Sequence, residues 1–362
     1  MHQTPIEADC RIPTSPLSRH TRHTERPLSR PSPSTTPTTL LHRLAWLAHL
    51  ASALILALRL LVADRWGWLG MLNAFTEWTR GANLALALLR LRQGHGDAML
   101  FAVPALLTRV APKQRKGAAT GRGHVFTLMG TNLYLDNRRI AQHVALIGDH
   151  QPDIVAFHEL TVAANEALHG GLRADYPYRV AVPRNDAYGF GIFSRFPLRN
   201  PEILDTPGVR PWAQRLLVDL PDGTTVALYN VHLCAPTSGS TRHLGFTWGF
   251  RAREAQIEAM AARIQSEGYP AVIIGDHNFT EASAAYDVAT TAWRDAWAEA
   301  GQGPRWTWPM RGFPYPPVAT LWPVMRLDYC FLSGVVAQSL AHLAARTGSD
   351  HRVLLATLQV AT

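Results

Sequence analysis

Hydrophobic and polar positions change rhythm twice along this chain. Residues 1–40 show no apolar periodicity; prolines such as Pro13, Pro27 and Pro37 punctuate a Ser, Thr and Arg background, the composition of a disordered basic tail. Across residues 44–62 the pattern becomes almost continuously apolar, with His49 and Arg59 as the ionisable exceptions. A helix needs ~20 such residues to cross a bilayer, and an arginine near one end can snorkel to the interface. Residues 41–111 are therefore expected to form a membrane anchor with one strong span at 44–63. Two weaker apolar stretches, 82–91 and 98–110, are short for a span, and residues 90–97 between them read as the turn of a helical hairpin. Trp66, Trp68 and Trp78 flank these stretches as interfacial anchors do. Residues 112–123, with Pro, Lys, Arg and Gly, read as a linker.

From residue 124 onward the rhythm is that of a globular domain. Short apolar runs at 125–130, 153–157, 189–193, 215–219, 225–231, 271–275, 328–332 and 353–359 predict strands. Helical periodicity appears at 138–148, 161–172 and 251–266. Strands gather in runs with helices between them, which favours a two-sheet α/β sandwich over a regular βαβ barrel. No repeat of solenoid length is present.

Charge changes the picture modestly. A formal net charge of +8 suits an anionic partner, whether nucleic acid, a phosphorylated metabolite or lipid headgroups, without choosing among them. Cys10, Cys234 and Cys330 are too widely spaced for a zinc knuckle or a disulfide framework.

Several apolar runs end in polar groups suited to chemistry. Asp276 and Asn278 follow the run at 271–275, and their spacing puts both on one face of a strand continuation. A carboxylate and an amide there suit an attacking water and a phosphoryl oxygen, although Asp-x-Asn alone is also an ordinary Asx turn. Glu159 ends another run and offers the oxygen donor that Mg²⁺ takes; a solvated strand end is the plainer account. Asn230 and His232 alternate onto one face, where an imidazole can contact phosphate or protonate a leaving oxygen. Taken singly, a hydrogen-bonded core histidine is the better account of His232. Asp350 and His351 precede the last strand. Adjacent residues point to opposite faces, so Asp328 is the expected partner that orients His351, leaving Asp350 for a metal.

As a set, these segments resemble the endonuclease/exonuclease/phosphatase superfamily, the deoxyribonuclease-I-like fold, over residues 124–360. The family's order is reproduced by Asn132, His158-Glu159, Gly191-Ile192-Phe193-Ser194-Arg195, Asn230-Val231-His232, Gly275-Asp276-His277-Asn278, Arg326-Leu327-Asp328-Tyr329 and Ser349-Asp350-His351. With the apolar helices ahead of it, the chain is similar to a bacterial membrane-anchored branch. The resemblance implies a four-layer α/β/β/α sandwich of two mixed β-sheets, with residues 124–362 as the catalytic domain. It implies that Glu159, Asn132 and Asp350 hold Mg²⁺, with Mn²⁺ as a substitute. It further implies a catalytic set of His232, Asp276, Asn278, Asp328 and His351, and substrate binding by Asn132, Asn230, Asn278 and His232. The general base is either Asp276 or the Asp328–His351 pair. Two positions depart from the family pattern: Tyr134 stands where some nucleases carry an acid, and His277 where an apolar residue is usual.

These expectations describe a membrane-anchored, divalent-metal-dependent phosphatase or phosphodiesterase acting on a lipid-linked or headgroup phosphate. The alternatives are an extracytoplasmic endo- or exonuclease, which would set the arginines against a phosphate backbone, and an inactive phosphate-binding module. The expected partners are the phosphate-ester substrate and the membrane, with no protein partner. The basic tail argues for a cytoplasmic N-terminus and an extracytoplasmic catalytic domain on a bacterial inner membrane. Lys113, Arg115 and Lys116 argue the other way.

Overall fold

The computed structural model describes residues 37–62, 64, 66–107, 121–205, 211–235, 246–310 and 324–361, the side chains of 37–39, 122 and 246–248 excepted. The tail expected to be disordered, up to residue 36, and most of the expected linker lie outside the described residues. The chain divides into the units Met1–Ala45 and Trp46–Thr362.

Four helices come first: α1 (Pro37–Val62), α2 (Gly67–Asn73), α3 (Thr76–Arg92) and α4 (Ala98–Leu107). Among the described helices, Leu40–Val62 of α1 is long and apolar enough to cross a membrane, with a mean hydropathy of 1.9. Its Leu50, Leu54, Leu60 and Leu61 are exposed. The two weaker stretches form the hairpin α3–α4. Helix α3 starts six residues earlier than its apolar stretch and carries Glu77, Arg80 and Arg90, so it is not an apolar span. At the hairpin turn the buried Arg90 donates to Asp97 at 2.8 Å and lies over the Phe101 ring. A charge at that depth is tolerated because it is paired.

The remaining elements follow in the order β1 (Gly121–Asn132), α5 (Ile140–His150), β2 (Ile154–His158), α6 (Val162–Leu172), β3 (Tyr178–Val182), β4 (Phe190–Ser194), β5 (Leu198–Leu204), β6 (Ala213–Asp219) and β7 (Thr225–His232). Then come α7 (Phe246–Glu267), β8 (Ala271–Asp276), α8 (Ala284–Ala292), β9 (Arg294–Asp295), α9 (Ala296–Ala300), β10 (Gly301–Gln302), β11 (Asp328–Ser333), β12 (Val335–Leu343) and β13 (Val353–Ala361). One sheet has the order β10-β12-β13-β1-β2-β4-β3 and the other β5-β6-β7-β8-β11-β9. Both are mixed: β1–β2 and β7–β8 run parallel, and most other pairs antiparallel.

Alternation along each strand explains the layers. On β8, Val272 and Ile274 pack between the sheets with Leu128, Ala156 and Leu354. Ala271 and Ile273 face outward to Ile257 and Met260 of α7 and to Tyr286 of α8. On the other sheet, Met129, Val155 and Phe157 face outward to Ile147 of α5 and Leu168 of α6. Each sheet thus buries both faces, one on its partner and one on helices, giving the α/β/β/α sandwich.

Candidate active site

Strand parity assembles the site. Inner-face positions run 126, 128, 130 and 132 on β1, then 226, 228, 230 and 232 on β7 and 272, 274 and 276 on β8, so that Asn132, Asn230, His232 and Asp276 inherit the inner face. Register aligns their ends: His232 lies opposite Asp276, and Asp328 opposite Asp276 on its other side. In the second sheet Asn132 lies opposite His158. Both sheets therefore deliver polar groups to one end of the sandwich. Gly275 is required there, because at φ 147° a Cβ would run into the Val231 carbonyl and approach His158 Nε2 to 2.6 Å.

The groups meet closely. Asp328 Oδ2 accepts from His351 Nδ1 at 2.9 Å, and His351 Nε2 lies 3.5 Å from Asp276 Oδ2. Asn132 Nδ2 donates to Glu159 Oε1 at 2.9 Å and to Asp276 Oδ2 at 3.2 Å. Glu159 Oε2 accepts from the Leu135 amide at 2.8 Å. His232 Nδ1 donates to the Ala187 carbonyl at 2.8 Å, which turns Nε2 toward Asp276 Oδ2 at 3.7 Å and Glu159 Oε1 at 3.9 Å. Tyr188 stacks on the His232 ring at 5.9 Å. Asn278 takes its backbone amide to Asp276 Oδ1 at 2.9 Å and its side-chain amide to the Leu233 carbonyl at 2.9 Å. Tyr134, Glu159 and Asn278 all adopt positive φ, 66°, 55° and 53°, just past their strands. Such turns are costly for non-glycine residues and cluster where side chains must be re-aimed.

Electrostatics separates the roles. Burial, reinforced by Asp328 and opposed by His351, raises the Asp276 carboxyl to about 6. Burial pulls His351 down, but Asp328, Asp276, Asp350 and the hydrogen bond together outweigh it and hold its imidazolium well above the ordinary histidine range. Burial pushes Asp328 up, and the His351 charge reverses this and keeps it ionised below its usual range. His158, buried without a partner for either ring nitrogen among the described residues, is held neutral, down at about 3. His277 turns to the outer face among Phe279, Tyr329 and Phe331, away from the site.

A cavity of about 450 Å³ lies over these groups, with Glu159, His232, Asp276, Asn278, Asp350 and His351 in its walls. Asn132 and Asp328 stand behind them, fully or nearly buried. Asn230 does not reach the cavity: its amide is spent on the Phe157 and Gly191 carbonyls, tying the two sheets together beneath the site. The substrate contact expected of it is therefore corrected to an inter-sheet tie. The donor set is oxygen-rich, and Asp276, Asp328 and His351 offer atoms all within 4.8 Å of one another. Buried carboxylates so close repel unless a cation joins them, and for Asp276 and Asp328 that cation is the His351 imidazolium; the hard oxygens of Glu159 and Asp350 in the cavity walls are donors of the kind a divalent ion of the Mg²⁺ type takes.

Several residues that hold the site in place were assigned no role from the sequence. Trp308 Nε1 donates to Asp350 Oδ2 at 3.0 Å. Thr307 Oγ1 accepts from the Leu327 and Asp328 amides and fixes the start of β11. Ser349 Oγ donates to the Asn132 carbonyl at 2.6 Å. Arg253, on α7, bridges the Cys234 and Asn278 carbonyls and so ties the turn after His232 to the turn after Asp276. Arg326 makes a buried two-pronged pair with Asp295 at 2.7 and 2.8 Å, anchoring the motif that carries Asp328.

The family model described as Endonuclease/Exonuclease/phosphatase family matches residues 129–351. No sequence among the curated proteins matches the chain. Solved structures share its fold. An endonuclease/exonuclease/phosphatase from Bacteroides vulgatus is 22% identical with a TM-score of 0.52, over 66% of this chain and 99% of that one. The D. rerio TDP2 complexed with single-strand DNA product is 18% identical with a TM-score of 0.51, over 65% and 99%. A mannosyl-6-phosphatase from Bacteroides thetaiotaomicron is 17% identical with a TM-score of 0.51, over 64% and 99%.

Proposed function

The chain belongs to the endonuclease/exonuclease/phosphatase family of metal-dependent phosphoester hydrolases, and from that membership we propose that it is a membrane-anchored phosphohydrolase acting on a lipid-linked or headgroup phosphate. The observation that carries the reading is the cavity over Asp276 and His351: beyond its polar floor, its walls are apolar, with Phe250, Phe279, Met325 and Leu327 among them. Among the described residues Arg253 is the one lysine or arginine lining it. A polynucleotide groove needs a track of cations, whereas a phosphate with a hydrocarbon body needs an apolar wall beside a polar floor. The apolar helix Leu40–Val62 ends just ahead of residues that line the same cavity.

In this reading Glu159, Asn132 and Asp350 hold the divalent cation, which supplies charge neutralisation for the phosphoryl oxygens. Asp276, raised by burial, takes the proton of the attacking water; a base works best when its pKa lies near the working pH. His351, kept charged by Asp328, stabilises the negative charge that develops on phosphorus oxygens, as does His232. Asn278 orients a phosphate oxygen.

The test is hydrolysis by the full-length protein in detergent or vesicles, with Mg²⁺, Mn²⁺ or EDTA, against lipid phosphates, sugar phosphates and single- and double-stranded DNA. Lipid phosphates should turn over fastest and EDTA should stop the reaction. A preference for DNA with steep salt dependence would identify a nuclease instead, and no turnover at all would leave a binding module. Membrane anchoring is checked by resistance to carbonate extraction, and sidedness by a reporter fused after Thr362, which should read as extracytoplasmic.

A further inference from the structure

The family match begins at residue 129, yet part of the cavity wall comes from far upstream. Asp64, Gly70, Met71, Asn73, Ala74 and Phe75 line the same cavity as the catalytic groups. Three contacts lock this segment to the catalytic domain. The buried Asp64 carboxylate accepts from the Ser283 hydroxyl and from the Ala284 amide at 3.0 Å, capping the N-terminus of α8, and also from Asn73 Nδ2 at 2.8 Å. A carboxylate is favoured at that end of a helix by the unpaired amides and the helix dipole. Gly70 of α2 lies so close to Phe250 of α7 that any Cβ would run into the ring. Just beyond, the Trp78 indole donates to the Val324 carbonyl at 2.9 Å and stacks on Trp306, while Glu77 pairs with Arg305 at 3.2 Å.

These contacts leave the inward side chains with a chemical purpose. Met71 and Phe75 face the cavity beside Phe250 and offer no hydrogen-bond donor to a phosphate. We propose that Asp64 and residues 66–75 form a specificity wall of the active site, in which Met71 and Phe75 receive the alkyl portion of a phosphoester while Asp64 holds the wall in place. The wall is attached to α1 through Val62, so the element that selects the substrate and the helix suited to a bilayer are continuous in sequence. This rests on the site being a phosphohydrolase for amphiphiles, and the experiment separates the two ideas.

Binding of ethylphosphonate and hexylphosphonate to the full-length protein in Mg²⁺ buffer is measured by titration calorimetry. Each buried methylene strengthens binding about fourfold, so the hexyl compound should bind more tightly by ~10²-fold. Met71→Gln conserves volume and Phe75→Ala keeps the backbone; in each the hexyl-to-ethyl ratio should fall by about tenfold or more. Asp64→Asn, which weakens the clamp, should lower the same ratio. Hydrolysis of ethyl and hexyl phosphates, and of the matching dialkyl esters, is followed in parallel. A wild-type ratio near one, or variants that weaken both ligands equally, overturns the wall. A steep wild-type ratio that the variants flatten supports it, even when none of the esters is hydrolysed; that last result would instead overturn the proposed function. Far-UV circular dichroism on each variant identifies misfolding, and the two cavity substitutions give independent readings should one fail to fold.

Discussion

Replacing Asp328 by Asn and His351 by Ala, singly and together, tests the core of the site. Asp328 Oδ2 and His351 Nδ1 are 2.9 Å apart, and neither side chain is more than 6% exposed. The bond is charge-assisted, and such bonds are worth ~1.5–3 kcal/mol net, with ~3–5 kcal/mol lost when one partner of a buried pair is removed. Asp328 is also pinned from behind by the Thr307 hydroxyl, so Asn at this position should keep the backbone in place. Taking ~3–4 kcal/mol as the transition-state loss gives a fall in kcat/KM of ~10²–10³ for each single variant. Because the two residues act as one unit, the double variant should lose little more, leaving a coupling energy of ~2–3 kcal/mol. The assay is kcat/KM for a chromogenic phosphoester at saturating Mg²⁺ from pH 5 to 9. The pH axis carries a second reading. Asp328 and Asp276 hold the His351 imidazolium above its ordinary range, so the charged form persists until the pH rises through that raised value. In Asp328→Asn the proton leaves at lower pH, and the basic limb of the rate profile should shift toward acid. Losses that multiply, or a basic limb that does not move, would refute the arrangement.

Three further outcomes are expected. Glu159→Gln keeps the hydrogen bond to Asn132 but removes the charge offered to the cation, so Mg²⁺ affinity by calorimetry should drop and turnover should fall by ~10²-fold or more; unchanged affinity would reject Glu159 as a ligand. Arg326→Met strands the buried Asp295 carboxylate and should cost ~3–5 kcal/mol in thermal unfolding, with Asp295→Asn added to it recovering part of the loss; a near-neutral single variant would contradict the pair's anchoring role. Burial holds His143, on α5, at about 4 with no partner for either ring nitrogen among the described residues. Its folded pKa lies below its unfolded one, so stability contributed by the neutral form falls as pH drops from about 6.5 toward 4, by ~3 kcal/mol in full. His143→Leu should therefore flatten the decline in melting temperature between pH 7 and 4.5, and an unaltered decline would falsify that assignment.

What could be read from the sequence was whatever depends on local order. Strand periodicity marked β1, β2, β4, β6, β7, β8, β11 and β13, and the same alternation put Asn230 and His232 on one face; it also expected Asp276 and Asn278 on one face of a continued strand, whereas β8 ends at Asp276 and Asn278 turns off at φ 53°. The order of motifs named the family because each catalytic group sits at the end of a strand that must be apolar to be buried. Weakly patterned elements escaped. Strands β3 and β5 lie at sheet edges with mostly exposed or half-buried side chains, β5 carries Pro201 and a positive φ at Asn200, and β12 has a polar, irregular outer face. Helix α8 was missed although Ala285, Tyr286 and Ala289 recur at helical spacing and Ser283 caps it, because alanine and threonine fill most of its buried face and give a weak apolar signal. Tertiary structure alone decided the rest. It withdrew Asn230 from the substrate, turned His277 outward, set Trp308 against Asp350, and brought Asp64 to Ser283 across 219 positions. No periodicity encodes such a contact. A side chain's partner across the molecule is set by how whole layers pack, and a segment just after an apolar helix carries no local mark that it will wall an active site.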